Sequence, residues 1–288
     1  MAEQVGSAGR RNHDEPDDAE PVAHLTYEDI PDDDTTPLWE ALMDNRPELV
    51  KSLVAAGADP WLPVLCGWSP GRLSLAGPTP GLFAVPEGER GLNAAEHAAV
   101  LEAKRLRAVL GDPDRTCLGL ACVRGIDAAE AIRRLEATPM HGSRLQALPE
   151  DLWAGHSTED QAWMVGVTTV PGGCIVTQPW GVAPQAPGVQ ERLSAGTVCY
   201  GLFVNPKSGE QGTITRDGDL VAWGLYPGGG PTPHDTRTPD DVLLAYLHRG
   251  NAVAHACAWA GLRPTDARAV DGPPEVWVEL PRRDYWEH

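Results

Sequence analysis

The residues from Thr36 to Trp61 constrain the fold more than any others, because they carry the punctuation of two helices in succession. Thr36 offers a hydroxyl suited to cap a helix, and Pro37 stands at the first helical position, where no N–H is needed. Leu38, Ala41 and Leu42 then fall on one face. Pro47 opens a second helix after a tight turn, and Leu49, Val50, Leu53 and Val54 give it an apolar stripe. Gly57 supplies the left-handed residue that stops it. Helices this short draw their stability from packing, so other parts of the chain must cover their apolar faces.

These residues resemble the ankyrin repeat at nearly every signature position, from Thr36-Pro37-Leu38 through Gly57-Ala58-Asp59. Trp39 stands where the repeat has a histidine, which weakens the usual hydrogen bond between neighbouring repeats but not the helical pattern. Ser69-Pro70 echoes Thr36-Pro37 one ankyrin period later, at 33 residues, with Leu73, Leu75 and Ala76 following. Pro78, Pro80 and Gly81 then interrupt the pattern. One clear and one degraded repeat therefore span about residues 34–83, fewer than the roughly three that a free-standing stack needs. A longer helix is expected from Asn93 to Leu110, with Ala94, Ala98, Leu101, Leu106 and Leu110 as apolar contacts. The candidate binding residues are Trp39, Met43, Asp44, Asn45, Arg46, Trp61 and Trp68, since tryptophan is enriched in binding hot spots. The same tryptophans would serve equally to pack the stack onto a second domain.

Charge sets the partner class. The formal net charge is −18, and residues 1–34 hold eleven acids against Arg10 and Arg11, a net −9. Residues 1–33, with Pro16, Pro21 and Pro31, are expected to form an acidic disordered tail. The rest is still acidic, which excludes the basic footprint that nucleic acid or an anionic membrane surface requires. No long apolar run and no leader-like segment is present, so a cytoplasmic protein is expected. Six dispersed cysteines fit reduced, buried thiols.

The second half, about residues 112–288, changes character. Cys117–Val123 and Ala128–Leu135 are expected as helices, the latter capped by Asp127. Ala162–Val170, the turn Pro171-Gly172-Gly173 and Cys174–Gln178 form a hairpin pattern. Thr197–Val204 is another strand, and Gly212–Arg216 and Asp219–Leu225 flank the turn Asp217-Gly218. Helices over Pro239–His248 and Asn251–Leu262 and a last strand at Val276–Leu280 complete the expected set. Trp163, Trp223 and Trp277 lie in these strands and are expected in the core. The whole is an α+β protein: a short ankyrin-like helical region packed on an α+β domain with an antiparallel meander flanked by helices. Residues Thr116–Val270 also resemble an actinobacterial domain-of-unknown-function family. The resemblance is carried by Val123–Asp127, Ala129-Glu130, the strand–Pro-Gly-Gly–strand unit, Arg192–Thr197 and Asp217–Val221. It implies domain limits and no chemistry.

No catalytic constellation stands out. Gly67-Trp68-Ser69-Pro70-Gly71 matches a nucleophile elbow, but Pro70 lacks the N–H that an oxyanion needs, and Ser69 is better placed as a helix cap. His248 and His255 are separated by Gly250 and fit helix-surface positions, with Cys257 in the core, so no metal is expected. Cys117 and Cys122 are wrongly spaced for a redox pair. Gly228-Gly229-Gly230 lacks the Lys-Ser/Thr of a phosphate loop, and the acidic pairs lack a calcium-loop pattern. The expectation is a non-enzymatic protein-binding module without cofactor or metal, in one version an immunity or antitoxin-like protein that neutralises a basic partner. The alternative is a small-ligand sensor or hydrolase-like enzyme with its pocket in the α+β domain, where His156, Asp160, His234 and Asp235 are the polar loop residues to test.

Overall fold

The segment expected to open the second half as a helix is instead the central strand of a sheet. β1 (Leu118–Arg124) reads Leu-Gly-Leu-Ala-Cys-Val-Arg, and six of its seven residues are buried. A run apolar at every position suits a strand covered on both faces as well as it suits a buried helix, and period alone does not separate the two. Here Leu118, Leu120 and Cys122 point to one core, and Ala121 and Val123 to the other.

The computed structural model describes residues 35–111, 117–142, 161–205, 207, 209–232 and 238–287. His156, Asp160, His234 and Asp235 lie outside them, as do residues 1–34. All the described residues fall within the compact unit Asp34–His288. The other strands are β2 (Thr138–Pro139), β3 (Met164–Val170), β4 (Gly173–Pro179), β5 (Val198–Asn205), β6 (Gly209–Arg216), β7 (Asp219–Leu225) and β8 (Val276–Glu279). They form one eight-stranded sheet in the order β2-β8-β3-β4-β1-β5-β6-β7, and every pairing is antiparallel. The protein is therefore α+β, with the two expected hairpins at Pro171-Gly172 and Asp217-Gly218 in place. Gly173 begins β4 with no room for a side chain, since a Cβ there would stand 1.9 Å from the Val123 carbonyl oxygen.

The helices are α1 (Pro37–Met43), α2 (Pro47–Ala55), α3 (Pro70–Ser74), α4 (Ala94–Leu110), α5 (Ala128–Leu135), α6 (Pro187–Ser194), α7 (Pro239–His248), α8 (Ala252–Ala260) and α9 (Arg268–Asp271). On one face of the sheet α8, the C-terminal turns of α4, and α9 cover Leu120, Cys122, Ile175, Tyr200 and Leu202. On the other, α5 and α6 cover Ala121, Val123, Val165, Val167, Cys174, Val176 and Cys199. The sequence pattern missed α6, because Pro187-Gly188 opens it and its apolar positions are few.

A third core lies among the N-terminal helices. Leu38, Trp39, Leu42, Val50, Trp68 and Leu73 pack with Val100 of α4 and with Val242, Leu243 and Tyr246 of α7. The expected caps are in place: Thr36 Oγ1 accepts from the Trp39 N–H, and Asp127 from Glu130. Gly57, at φ +104°, ends α2 with two hydrogen bonds, Gly57 N–H to Val54 O and Ala58 N–H to Leu53 O, the pairing of a Schellman stop. The echo at Ser69-Pro70 yields only the single turn of α3. In α4 the buried stripe is Val100, Ala103, Leu106 and Leu110. Ala94 and Ala98 are exposed and Leu101 is 68% exposed, so three of the five expected contacts face outward. The helix is rotated so that Glu96 meets Arg72 at 2.5 Å, leaving the shorter stripe for the core.

Candidate functional site

Of the seven expected binding residues, Trp39 and Trp68 are core residues, each 1% exposed. The Trp68 indole N–H donates to the Pro239 carbonyl at 2.8 Å, and the Arg72 guanidinium lies 4.1 Å over its ring. These tryptophans thus hold the helical layer together and onto α7, and they are not available to a partner. Trp61 is half-buried against Gly71, where a Cβ would meet its ring at 2.9 Å. Met43 is half-buried against the third core. Asp44, Asn45 and Arg46 are exposed at the turn between α1 and α2, with Asn45 in the left-handed region at φ +53°. Asn45 and Arg46 edge a shallow, solvent-open cleft lined by Leu42, Val50, Leu82 and Tyr246. Its enclosed space, about 10 Å³, is far below the roughly 300 Å³ at which pockets for drug-sized ligands begin.

Ser69 is buried and caps α3, its Oγ accepting from the Arg72 N–H at 3.2 Å. Cys257 is in the core as expected, but its neighbour is Cys122, Sγ to Sγ 3.9 Å, and not a partner within one helix. The expected surface position of His248 is overturned: it is 2% exposed, at the last position of α7, with His255 of α8 facing it at a ring-centroid distance of 6.4 Å. The α7–α8 connection, Arg249-Gly250-Asn251, folds the two helices back on each other, which brings residues seven apart together across a corner. Burial pushes His248 down to about 3, with His255 and Arg107 adding to the effect, and burial pushes His255 down to about 4. Neither Nδ1 has a hydrogen-bond partner among the described residues. No group of three or more metal-ligating side chains forms among the described residues.

The feature that sequence reasoning missed is on β7. Its outer edge pairs with no described strand. Leu220, Val221, Trp223 and Tyr226 are exposed on it and just beyond it, Trp223 to 78%. Trp223 was expected in the core, since its strand is apolar at nearly every position. At the end of the strand order, β7 has a neighbour on one side alone among the described strands. The turn into β7 has Asp217 at φ +52° and Gly218 at φ +91°, the signs of a type I′ hairpin. Pairing with β6 then shifts register twice, between Gly212 and Ile214 and between Ile214 and Thr215. Such irregularities bend an edge and re-aim its side chains, which works against addition of a regular strand and presents side chains for docking. Glu210, Asp217 and Asp219 are exposed on β6, β7 and the turn between them, with Arg216 exposed beside them and Lys207 exposed in the turn before β6, and Glu191 of α6 lies 3.6 Å from the Gly218 Cβ position.

Comparison with the profiles of known protein families, with curated proteins and with solved structures gave no match. Among the described residues no helix is long and apolar enough to cross a membrane.

Proposed function

We propose that this protein is a non-enzymatic binding module that docks a basic protein through the β7 patch. The observation that carries the reading is Trp223, 78% exposed beside Leu220, Val221 and Tyr226 inside an acidic rim. Soluble proteins seldom leave several large apolar side chains together in water without use, and an aromatic centre with a polar rim is the anatomy of an interface. The net charge of −18 would steer a basic partner to it. In this reading α1 and α2 are an ankyrin-type unit whose turn, Asp44–Arg46, adds a second and smaller contact surface, and the sheet half is the conserved-type domain that the Thr116–Val270 resemblance suggests. A partner that is a basic toxin enzyme, neutralised in the cytoplasm, fits this chemistry best.

The test is affinity capture with the full chain, with Trp223→Ser, and with Asp217→Asn/Asp219→Asn, at low and high salt. A basic protein in near-stoichiometric yield, lost with Trp223→Ser and weakened by salt and by the double substitution, is the expected outcome. Equal recovery with Trp223→Ser, or an acidic partner indifferent to salt, would sink the proposal.

A further inference from the structure

The corner between α7 and α8 joins two cores. α7 belongs to the core of the N-terminal helices, and α8 lies on the sheet. Polar contacts there add to the apolar packing of Tyr246, Ala252 and Val253 on its two sides. Arg107 of α4 donates to the carbonyls of Leu247 and Arg249, Asn251 Nδ2 to Gly111 O at 3.3 Å, and Gly250 N–H to Gly228 O at 2.6 Å. His248 and His255 sit inside this corner.

We propose that His248 and His255 are an acid-operated latch: protonation of the pair releases the α7–α8 corner and the helical layer from the sheet, and loosens the loop after β7 through the Gly250–Gly228 bond. The surroundings leave no good place for the proton. On α4, Arg107 repels it, and Glu102 is held by a two-point pairing with Arg105, at 2.6 and 2.9 Å. On α7, Asp241 favours a charged His255 but spends Oδ2 on the Thr238 N–H and hydroxyl, while Arg249 lies over Tyr246. Beyond α8, Arg263 faces Glu102 at 3.9 Å, and from β5 the Tyr200 ring stands 5.9 Å from that of His255. Neither Nδ1 has a hydrogen-bond partner among the described residues.

The sign follows from burial. In the closed form both imidazoles stay neutral far below the usual histidine range near 6.5. In an opened corner they titrate normally. The opened form therefore gains protons as pH falls below about 6.5, and closure weakens by up to about tenfold per pH unit per histidine until the closed-form values are reached. Above pH 7 the contribution to closure is complete.

Any effect of the latch on docking rests on the binding reading above, but its test needs no partner. Amide exchange of the full chain would be followed by mass spectrometry at pH 7 and pH 5, corrected for intrinsic rates. The expected result is that residues 94–110, 226–230 and 239–260 lose protection by about tenfold or more, while α5 and α6 on the opposite face keep theirs. His248→Gln/His255→Gln should remove the loss, and each single variant should keep about half of it on a logarithmic scale, which serves if the double variant does not fold. Unchanged protection in the wild-type chain at pH 5, equal loss in α5 and α6, or the same loss in the single variants would overturn the latch.

Discussion

Gln190 spends its whole amide inside the protein. Its Nε2 donates to Gln185 O at 3.1 Å and to Thr213 Oγ1 at 2.8 Å, and its Oε1 accepts from Thr215 Oγ1 at 2.8 Å. The side chain lies over Gly201, where a Cβ would stand 1.9 Å from Nε2. A buried network of this kind stabilises only while complete, because each stranded partner keeps its desolvation cost. Gln190→Leu should therefore destabilise by about 1–3 kcal/mol in urea unfolding. The cysteines make a second test at this scale. Cys122, Cys174, Cys199 and Cys257 are buried, and Cys66 and Cys117 are half-buried. Burial drives the Cys174 thiol up to about 12, with Asp127 adding to the effect, and raises Cys199 and Cys122 as well, the latter chiefly through its contact with Cys257. Thiolate is the reactive form. A disulfide reagent at pH 8 should thus titrate no more than two thiols in the native chain and six after unfolding. Single residues of this kind were partly legible: caps at Thr36, Ser69 and Asp127 follow from local chemistry. The burial of His248 and the exposure of Trp223 were not, since both depend on what a distant segment places beside them.

At the scale of elements, the punctuation by proline, glycine and capping residues located most helices, and the hairpins at Pro171-Gly172 and Asp217-Gly218 came from turn chemistry alone. β1 did not, because its six residues before Arg124, buried on both faces, satisfy a strand and a buried helix alike, and its partners β4 and β5 lie far along the chain. α3 shows the opposite failure, a correct cap at Ser69 and a helix cut to one turn. The helical layer depends on a few close fits with α7. A Cβ at Gly77 would lie 2.3 Å from the Tyr246 hydroxyl. Gly77→Ala must move that tyrosine from the third core, and about 1–3 kcal/mol of destabilisation is expected. Trp68→Phe deletes the donor to Pro239 and should cost about 0.5–1.5 kcal/mol for the bond, with a further loss for the space vacated. Both effects can be read from thermal unfolding.

For the whole molecule, the residues that close the cores and the apolar residues exposed on β7 fall on different surfaces. The three cores are closed without Leu220, Val221, Trp223 or Tyr226, which lie outside them. Trp223→Ser should accordingly leave the unfolding free energy within about 0.5 kcal/mol of the parent. The same change should lower binding of an apolar dye such as bis-ANS to the native chain. A large loss of stability would place Trp223 in the fold instead of on an interface. The α+β class was legible from the alternation of patterns along the chain, but the strand order was not, and the order is what places β7 at the end of the described sheet.

That order also bears on how the chain is made. β1, in the middle of the sheet, is the first of the described strands to leave the ribosome, and its neighbours are encoded some 50 to 85 residues later, over Gly173–Pro179 and Val198–Asn205. The N-terminal helices wait longer still, since Trp68 and Leu38 are roofed by α7, starting at Pro239. β3 keeps a bare edge until Val276–Glu279 arrives. Pairings this distant fold slowly and leave apolar surface exposed in the interval. Most of the described strands and helices must therefore be synthesised before the cores can close, and the apolar faces of β1 and of the N-terminal helices wait unpaired in the interval.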